Sequence, residues 1–182
     1  MIVAWKREIL IITPFKCGSS SLGSLHEAIP YTFTVIGPAN FYNMEHVTVH
    51  SPFIPIEYHD YHRIIICRDP YERAASMYFQ HGKWTKKNNL PSIDLDTYID
   101  TKLLPMDQNA PMLLPIWKLY EISNWKEYWK LEDLDKHILE VFGVTTDRLN
   151  VSSDRLTLNE EQKVRLRPWA EQDCKNFNYE VF

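Results

Sequence analysis

The sequence predicts an α/β fold in which a central, mainly parallel sheet is flanked by helices and followed by a helical C-terminal half. Two compact apolar runs, residues 8–13 (EILIIT) and 64–67 (IIIC), have the length and composition of buried strands. Each run leads into a loop and then into helical periodicity, an order that is typical of parallel sheets. The 182 residues, of which 45% are hydrophobic, suffice for one domain, which we predict over residues 1–182.

The elements of the first half follow from local patterns. Pro14 ends the first strand, and apolar residues then recur at helical spacing over residues 22–29 until Pro30. Residues 32–36 and 46–50, rich in β-branched and aromatic side chains, predict two further strands. This half therefore begins with a strand, a tight loop and a helix.

The elements of the second half are mostly helices. Pro70, just after the IIIC strand, predicts a helix over residues 72–81. Helical spacing predicts two more helices, at residues 95–99 and 134–142, and Gly143 ends the second of them.

The C-terminal region also has a helical pattern. Thr157 and Glu160 have the spacing of a capping box, and we expect Pro168 to break or restart the helix that follows. The aromatic-rich residues 117–129 are expected to pack in the core.

Composition and charge argue against several classes of protein. The net charge of −4 argues against general nucleic-acid binding, which needs a basic surface. The apolar run at residues 9–12 is far shorter than the roughly 20 residues of a membrane-spanning helix. Cys17, Cys67 and Cys174 are too few for a disulfide framework, so we expect reduced thiols and a cytoplasmic location without a membrane segment.

The loop after the first strand, residues 13–24 (TPFKCGSSSLGS), has the composition of an anion-binding loop. Gly18 lets the backbone approach an anion closely, and the three serines that follow supply donors at a helix N-terminus. Lys16 adds a positive charge. A serine-rich helix cap beside a surface lysine is the alternative interpretation.

The same loop has the glycine spacing of a P-loop. Gly18 and Gly23 stand at the P-loop positions, but Ser24 occupies the place of the P-loop lysine, and the lysine of this loop is Lys16. This loop is therefore not a standard triphosphate loop, and the overall fold that we predict is a P-loop-like three-layer one.

A second segment, residues 68–80 (RDPYERAASMYFQ), follows the IIIC strand. Arg68 leaves the strand end, and Ser76 lies in the following helix, so a guanidinium and a hydroxyl are available to hold a second phosphate. Arg73 is another candidate, with pairing to Glu72 or Asp69 as its alternative role.

Together, "KCGSSSL" and "RDPYERAASMY" resemble the paired signatures of the sulfotransferases that use 3′-phosphoadenosine 5′-phosphosulfate (PAPS). The resemblance implies that Lys16 contacts the phosphosulfate bridge, that the loop binds the 5′-phosphate, and that the second segment binds the 3′-phosphate. It implies PAPS as donor, adenosine 3′,5′-bisphosphate as product and no metal. The implied cofactor-binding residues are Lys16, Cys17, Gly18, Ser19, Ser20, Ser21, Leu22, Arg68 and Ser76.

A histidine completes the predicted site. The segment "TVHSPF" resembles the family's strand-end His-x-Pro, which implies that His50 deprotonates the acceptor hydroxyl, with Lys16 as the second catalytic residue. A histidine pKa near 6.5 suits this proton transfer at neutral pH. A partly buried strand-end histidine is the alternative. His59 and His62 have the spacing of a weak metal pair, and a surface turn is the favoured interpretation for them.

The remaining chain resembles the carbohydrate branch of this family. "YWKLEDLDKHILEVFGV" is similar to the family's "EDL" segment, and the tail has Asn150, Ser152, Asp173 and Tyr179 at matching places. The C-terminal Arg-Lys-Gly of the cytosolic enzymes is absent. Lys163, Arg165 and Arg167 are its candidate substitutes, with solvation of a helix surface as their alternative role.

The predicted acceptor is therefore a hydroxyl on a glycan or another small molecule. Lys83, Lys86, Lys87 and Trp84 are candidates to steer or stack an acidic glycan, or simply form a solvated loop. Two other functions remain open: a P-loop-type nucleotide kinase or NTPase, and a non-catalytic module that binds adenosine bisphosphate.

Overall fold

A computed structural model describes residues 2–19, 22, 32–34, 54, 56–108, 110–145 and 156–182. The chain divides into two compact units. The first comprises Met1–Arg68 and Tyr120–Ser152, and the second comprises Asp69–Leu119 and Ser153–Phe182.

The first unit is built on a mixed sheet. Its strands within the described residues are β1 (Ile2–Ala4), β2 (Ile9–Ile12), β3 (Thr32–Thr34), β4 (His62–Cys67) and β5 (Glu127–Lys130). Their spatial order is β3-β1-β2-β4-β5. The α/β class predicted from the sequence is confirmed.

One strand of the sheet, β1, runs in the opposite direction to the other four. β2 pairs in parallel with β4, and β4 pairs in parallel with β5. β1 is antiparallel to both β2 and β3, so the sheet is mostly but not wholly parallel. The physical reason is the short connection, because the single turn Trp5–Arg7 between β1 and β2 is far too short for a parallel crossover.

Buried apolar side chains hold the middle of this sheet. The strand β4 is buried from Ile64 to Cys67, as expected for a strand with neighbours on both sides. The predicted strand at residues 32–36 is observed over Thr32–Thr34, and the strand predicted at 46–50 lies outside the described residues.

Beyond β5, a short 3-10 turn, Leu131–Asp133, leads into the helix Leu134–Phe142. Gly143 ends this helix in the left-handed conformation at φ 72°, which confirms the predicted stop. Leu134, Ile138 and Phe142 form its buried face.

The second unit is helical. We call its elements α1 (Pro70–Lys87), α2 (Leu95–Tyr98, continued by a π turn at Ile99–Leu103), α3 (Ile116–Tyr120, which ends where the first unit resumes) and α5 (Glu160–Phe177); α4 is the helix Leu134–Phe142 of the first unit. Asp69 caps α1 by accepting the N–H groups of Tyr71 and Glu72. The helix predicted over residues 72–81 is confirmed and is longer than expected.

Two expectations about α5 are wrong. The capping box is formed by Asn159 and Gln162 rather than by Thr157 and Glu160. The helix also continues through Pro168 without a break. Pro168 lies on the exposed face, where water can satisfy the carbonyl that has lost its helical donor. Buried Trp169 and Leu166 hold the helix on either side of it.

Candidate functional site

The parallel pairing of β2 and β4 brings the two predicted binding segments to one edge of the sheet. Ile12 is paired with Ile65, and both strands run in the same direction. Lys16 follows Ile12 by four residues and Arg68 follows Ile65 by three, so both come after the carboxyl ends of adjacent strands. This edge is where ligands bind in α/β sheets.

The loop between β2 and the next helix turns sharply at two residues. Lys16 has a φ of 66° and Gly18 has a φ of 82°, so left-handed residues flank Cys17. Successive N–H groups in a backbone with left-handed residues form the concave arrangement that binds anions. Ser19 and Leu22 are helical, so this loop leads directly into a helix N-terminus, as predicted.

Hydrogen bonds within the loop limit which groups can face a ligand. The N–H of Cys17 donates to Pro14 O at 3.0 Å, and the N–H of Leu22 donates to Gly18 O at 3.0 Å. The side chains of Cys17 and Leu22 are fully buried. These two residues therefore hold the turn, and the backbone N–H groups of Gly18 and Ser19 are the better candidate donors to an anion.

Gly18 is required by packing as well as by its conformation. A Cβ at this position would lie 2.5 Å from Leu131 Cδ1 and 3.6 Å from Leu134 Cδ2. The space beside the Gly18 Cα is thus filled by Leu131, in the turn after β5, rather than left open for an anion. Sequence reasoning missed Leu131, although its place just after a strand in the "EDL" segment was a usable signal.

We predict that Gly18→Ala destabilises the first unit. The substitution adds a clash with Leu131 to the cost of a left-handed non-glycine residue, which is about 1 kcal/mol. Urea unfolding followed by circular dichroism measures this loss.

A second substitution separates the two causes. Leu131→Ala in the Gly18→Ala background should restore the part of the stability that the clash removed, although Leu131→Ala alone is destabilising. Strictly additive effects of the two substitutions would contradict the proposed contact.

The edge carries cationic side chains. Lys16 and Arg68 are both partly exposed, and Lys16 Nζ lies 5.7 Å from the centre of the Phe15 ring. Lys130, paired with Cys67 at the end of β5, is a further partly exposed cation that sequence reasoning did not select.

The other predicted site residues fall elsewhere. Ser20, Ser21 and His50 lie outside the described residues. Ser76 is a half-buried residue of α1 and belongs to the second unit, whereas Lys16 and Arg68 belong to the first. A joint phosphate site of Arg68 and Ser76 therefore stays a prediction.

Arg73 is a structural residue rather than a surface partner of Glu72 or Asp69. Its side chain is fully buried, and its guanidinium donates to Leu114 O at 3.0 Å and to Met112 O at 3.4 Å. It also lies over the Trp169 ring, 5.3 Å from the ring centre. The spacing of charged residues cannot show this, because the carbonyl acceptors are about forty residues away in the chain.

Asp173 is a buried carboxylate of the second unit. Its carboxylate accepts the N–H groups of Ile116 and Trp117, each at 2.7 Å. Burial raises the pKa of Asp173 to about 6, while Arg73 and the two N–H groups act in the opposite direction. Asp173 thus caps α3, and this packing role accounts for a residue that the resemblance placed in the tail motif.

The histidines His59 and His62 each contact a different acceptor of the protein. His59 Nε2 lies 3.0 Å from Ile54 O, and His62 Nε2 lies 2.9 Å from Glu127 Oε2. The hydrogen bond with His62 lowers the pKa of Glu127. Across the described ranges, no group of three or more His, Cys, Asp or Glu residues is placed to hold a metal ion.

The basic residues of α5 serve its surface. Arg165 pairs with Asp96 and Asp100, and Arg167 Nε lies 3.7 Å from Glu171. Lys163 Nζ lies 3.7 Å from the centre of the Phe182 ring. These contacts agree with the surface role rather than with a phosphate site. Asn150 and Ser152 lie outside the described residues.

The three cysteines Cys17, Cys67 and Cys174 are buried, and none of them forms a disulfide. No helix in the described part of the chain combines the length and the hydropathy needed to cross a bilayer.

Comparisons of the chain with protein-family models, with curated proteins and with solved structures found no match. The motifs of this chain and the geometry of its sheet edge are therefore the basis for assigning a function.

Proposed function

We propose that this protein is a PAPS-dependent sulfotransferase that moves a sulfuryl group to an acceptor hydroxyl, with a P-loop-like three-layer fold. One observation carries the proposal: the parallel pairing of β2 and β4 brings the Lys16 loop and Arg68 to the same edge of the sheet. PAPS carries one phosphate at the 3′ position and one at the 5′ position of the same ribose, so its binding needs two anion sites near each other. The paired motifs provide cationic residues for both.

The loop residues suit the 5′ end of this cofactor. The left-handed residues Lys16 and Gly18 curve the backbone, and the N–H groups at the helix start favour a negative charge. Lys16 supplies the positive charge that stabilises the departing phosphate oxygen. Ser20 and Ser21 would add hydroxyl donors through the same loop.

Arg68 and Ser76 are assigned to the 3′-phosphate. A guanidinium binds a phosphate through two parallel hydrogen bonds, and a serine hydroxyl adds a third donor. Because Lys16 and the backbone donors neutralise the leaving group, the mechanism does not require a metal.

His50 is assigned as the general base. Bound PAPS would supply an activated sulfuryl group, whose bond to the phosphate oxygen breaks as a bond from the acceptor oxygen to sulfur forms. His50 takes the proton that the hydroxyl loses, so the products are a sulfate ester, adenosine 3′,5′-bisphosphate and one proton. We assign the acceptor to the carbohydrates and the reaction to the cytoplasm. Nucleic acid has no role in this proposal.

Ligand-dependent thermal unfolding tests the cofactor class. We expect adenosine 3′,5′-bisphosphate to raise the melting temperature, and ATP with magnesium to leave it unchanged, because the loop lacks a P-loop lysine at Ser24. Stabilisation by ATP with magnesium alone would contradict the proposal and favour a kinase or NTPase.

Turnover separates an enzyme from a binding module. We expect transfer of labelled sulfate from PAPS to a carbohydrate in an acceptor panel, with the transfer lost in His50→Ala. Binding of adenosine 3′,5′-bisphosphate without transfer to any acceptor would favour the non-catalytic module.

A further inference from the structure

The C-terminal end of α1 presents apolar and basic side chains together. Over residues 79–90, which we call the basic–aromatic end, Phe79, Trp84 and Leu90 are 42%, 50% and 45% exposed. The lysines of the same segment are all exposed: Lys83, Lys86 and Lys87. Large apolar side chains with this exposure, concentrated at one end of a helix, indicate a contact surface.

Helix geometry puts two of the three lysines between the two aromatic rings. At about 100° per residue, Lys83 and Lys87 are about 40° and 80° around the helix from Phe79, and Trp84 is about 140° from it. Lys83 Nζ lies 4.6 Å from the centre of the Phe79 ring. The Trp84 ring stacks on the His81 ring, with 6.2 Å between the ring centres, and this contact holds the Trp84 ring in place. One broad arc therefore carries both rings and two of the lysines.

The charge of this surface is of one sign. No Asp or Glu occurs between residues 73 and 93. Within the part of the chain that the structure describes, no carboxylate pairs with any of the three lysines, whereas Arg165 and Lys175 on α5 are paired with Asp100 and Glu171. A local cationic surface thus stands on a chain whose net charge is −4.

We propose that the basic–aromatic end docks on the surface of an anionic phospholipid membrane. Lysine ammonium groups are attracted to anionic headgroups, while tryptophan, phenylalanine and leucine side chains enter the interface beside them. An acidic polysaccharide also binds lysines and aromatic rings, but it offers little to the exposed aliphatic side chain of Leu90. The proposal concerns the second unit alone and does not depend on the function proposed for the Lys16 loop.

Vesicle sedimentation tests the proposal with the full chain. We expect binding to vesicles of phosphatidylcholine mixed with phosphatidylserine and little binding to phosphatidylcholine alone. The triple variant Lys83→Gln, Lys86→Gln and Lys87→Gln should weaken this binding on the order of 100-fold, since each lysine near an anionic surface contributes separately. Adding Trp84→Ala to this variant should weaken vesicle binding further, although this substitution does not change the net charge.

A matched variant controls for net charge. Glutamine in place of the exposed lysines Lys126, Lys136 and Lys175 changes the charge equally, and it should leave vesicle binding intact. Equal binding by wild type and by the Lys83, Lys86 and Lys87 variant would overturn the proposal. Binding to heparin that depends on these lysines, without binding to the vesicles, would also overturn it and assign the surface to a glycan.

Discussion

Lys16→Gly is expected to remove sulfuryl transfer while the protein stays as stable as the wild type or becomes slightly more stable. The lysine occupies a left-handed conformation, φ 66°, which glycine adopts without strain. The substitution therefore deletes the cation without disturbing the turn. Loss of one group that stabilises developing charge costs about 10²–10³-fold in rate. Transfer from PAPS and urea unfolding of the same preparation provide the two measurements.

A second left-handed residue offers a matched control for this change. Glu8 has a φ of 54° and lies just before β2, away from the loop end of that strand. Glu8→Gly should relieve a similar backbone cost and leave the transfer rate unchanged. A Lys16→Gly variant with wild-type activity would remove Lys16 from the mechanism, whatever its stability.

Arg73→Ala is expected to destabilise the protein severely. The guanidinium is fully buried, satisfies the carbonyls of Leu114 and Met112, and lowers the pKa of Asp173. Its removal leaves these two carbonyls without their donor, and each buried polar group that loses its partner costs about 1–3 kcal/mol. The midpoint of urea unfolding by circular dichroism measures the loss.

Arg167→Ala is the control for Arg73→Ala. Arg167 is largely exposed and contacts Glu171 at i,i+4 spacing, so its removal should cause no measurable change in stability. If Arg73→Ala keeps wild-type stability but loses binding of adenosine 3′,5′-bisphosphate, Arg73 is a phosphate ligand and the packing role is wrong.

The candidate site was predictable where chemistry follows directly from neighbouring residues. Lys16, Gly18 and Ser19 stand in a short loop between a strand and a helix, and their local order already indicates a turn with cationic and N–H donors. Leu131 was not predictable in this way. Its contact with Gly18 joins residues more than a hundred positions apart, and only the parallel strands bring them together.

The difference between local and long-range contacts also explains which charged residues had predictable partners. Glu171 and Arg167, four residues apart on one helix, have the spacing of a surface ion pair, and the structure contains it. Arg73 has equally plausible neighbours in sequence, yet its acceptors come from the distant segment around Leu114. Burial of a charge depends on which elements pack together, and a single sequence does not state this.

Local patterns in this chain were enough to establish its α/β class, the strands β2 and β4, and the helix α1 after β4, because apolar periodicity and turn residues act over a few positions. The antiparallel β1, the unbroken α5 and the filled space at Gly18 depended on long-range packing. Only the folded chain brings distant segments together. It therefore decides which strands pair, whether water reaches a freed carbonyl, and how much volume is left beside a glycine.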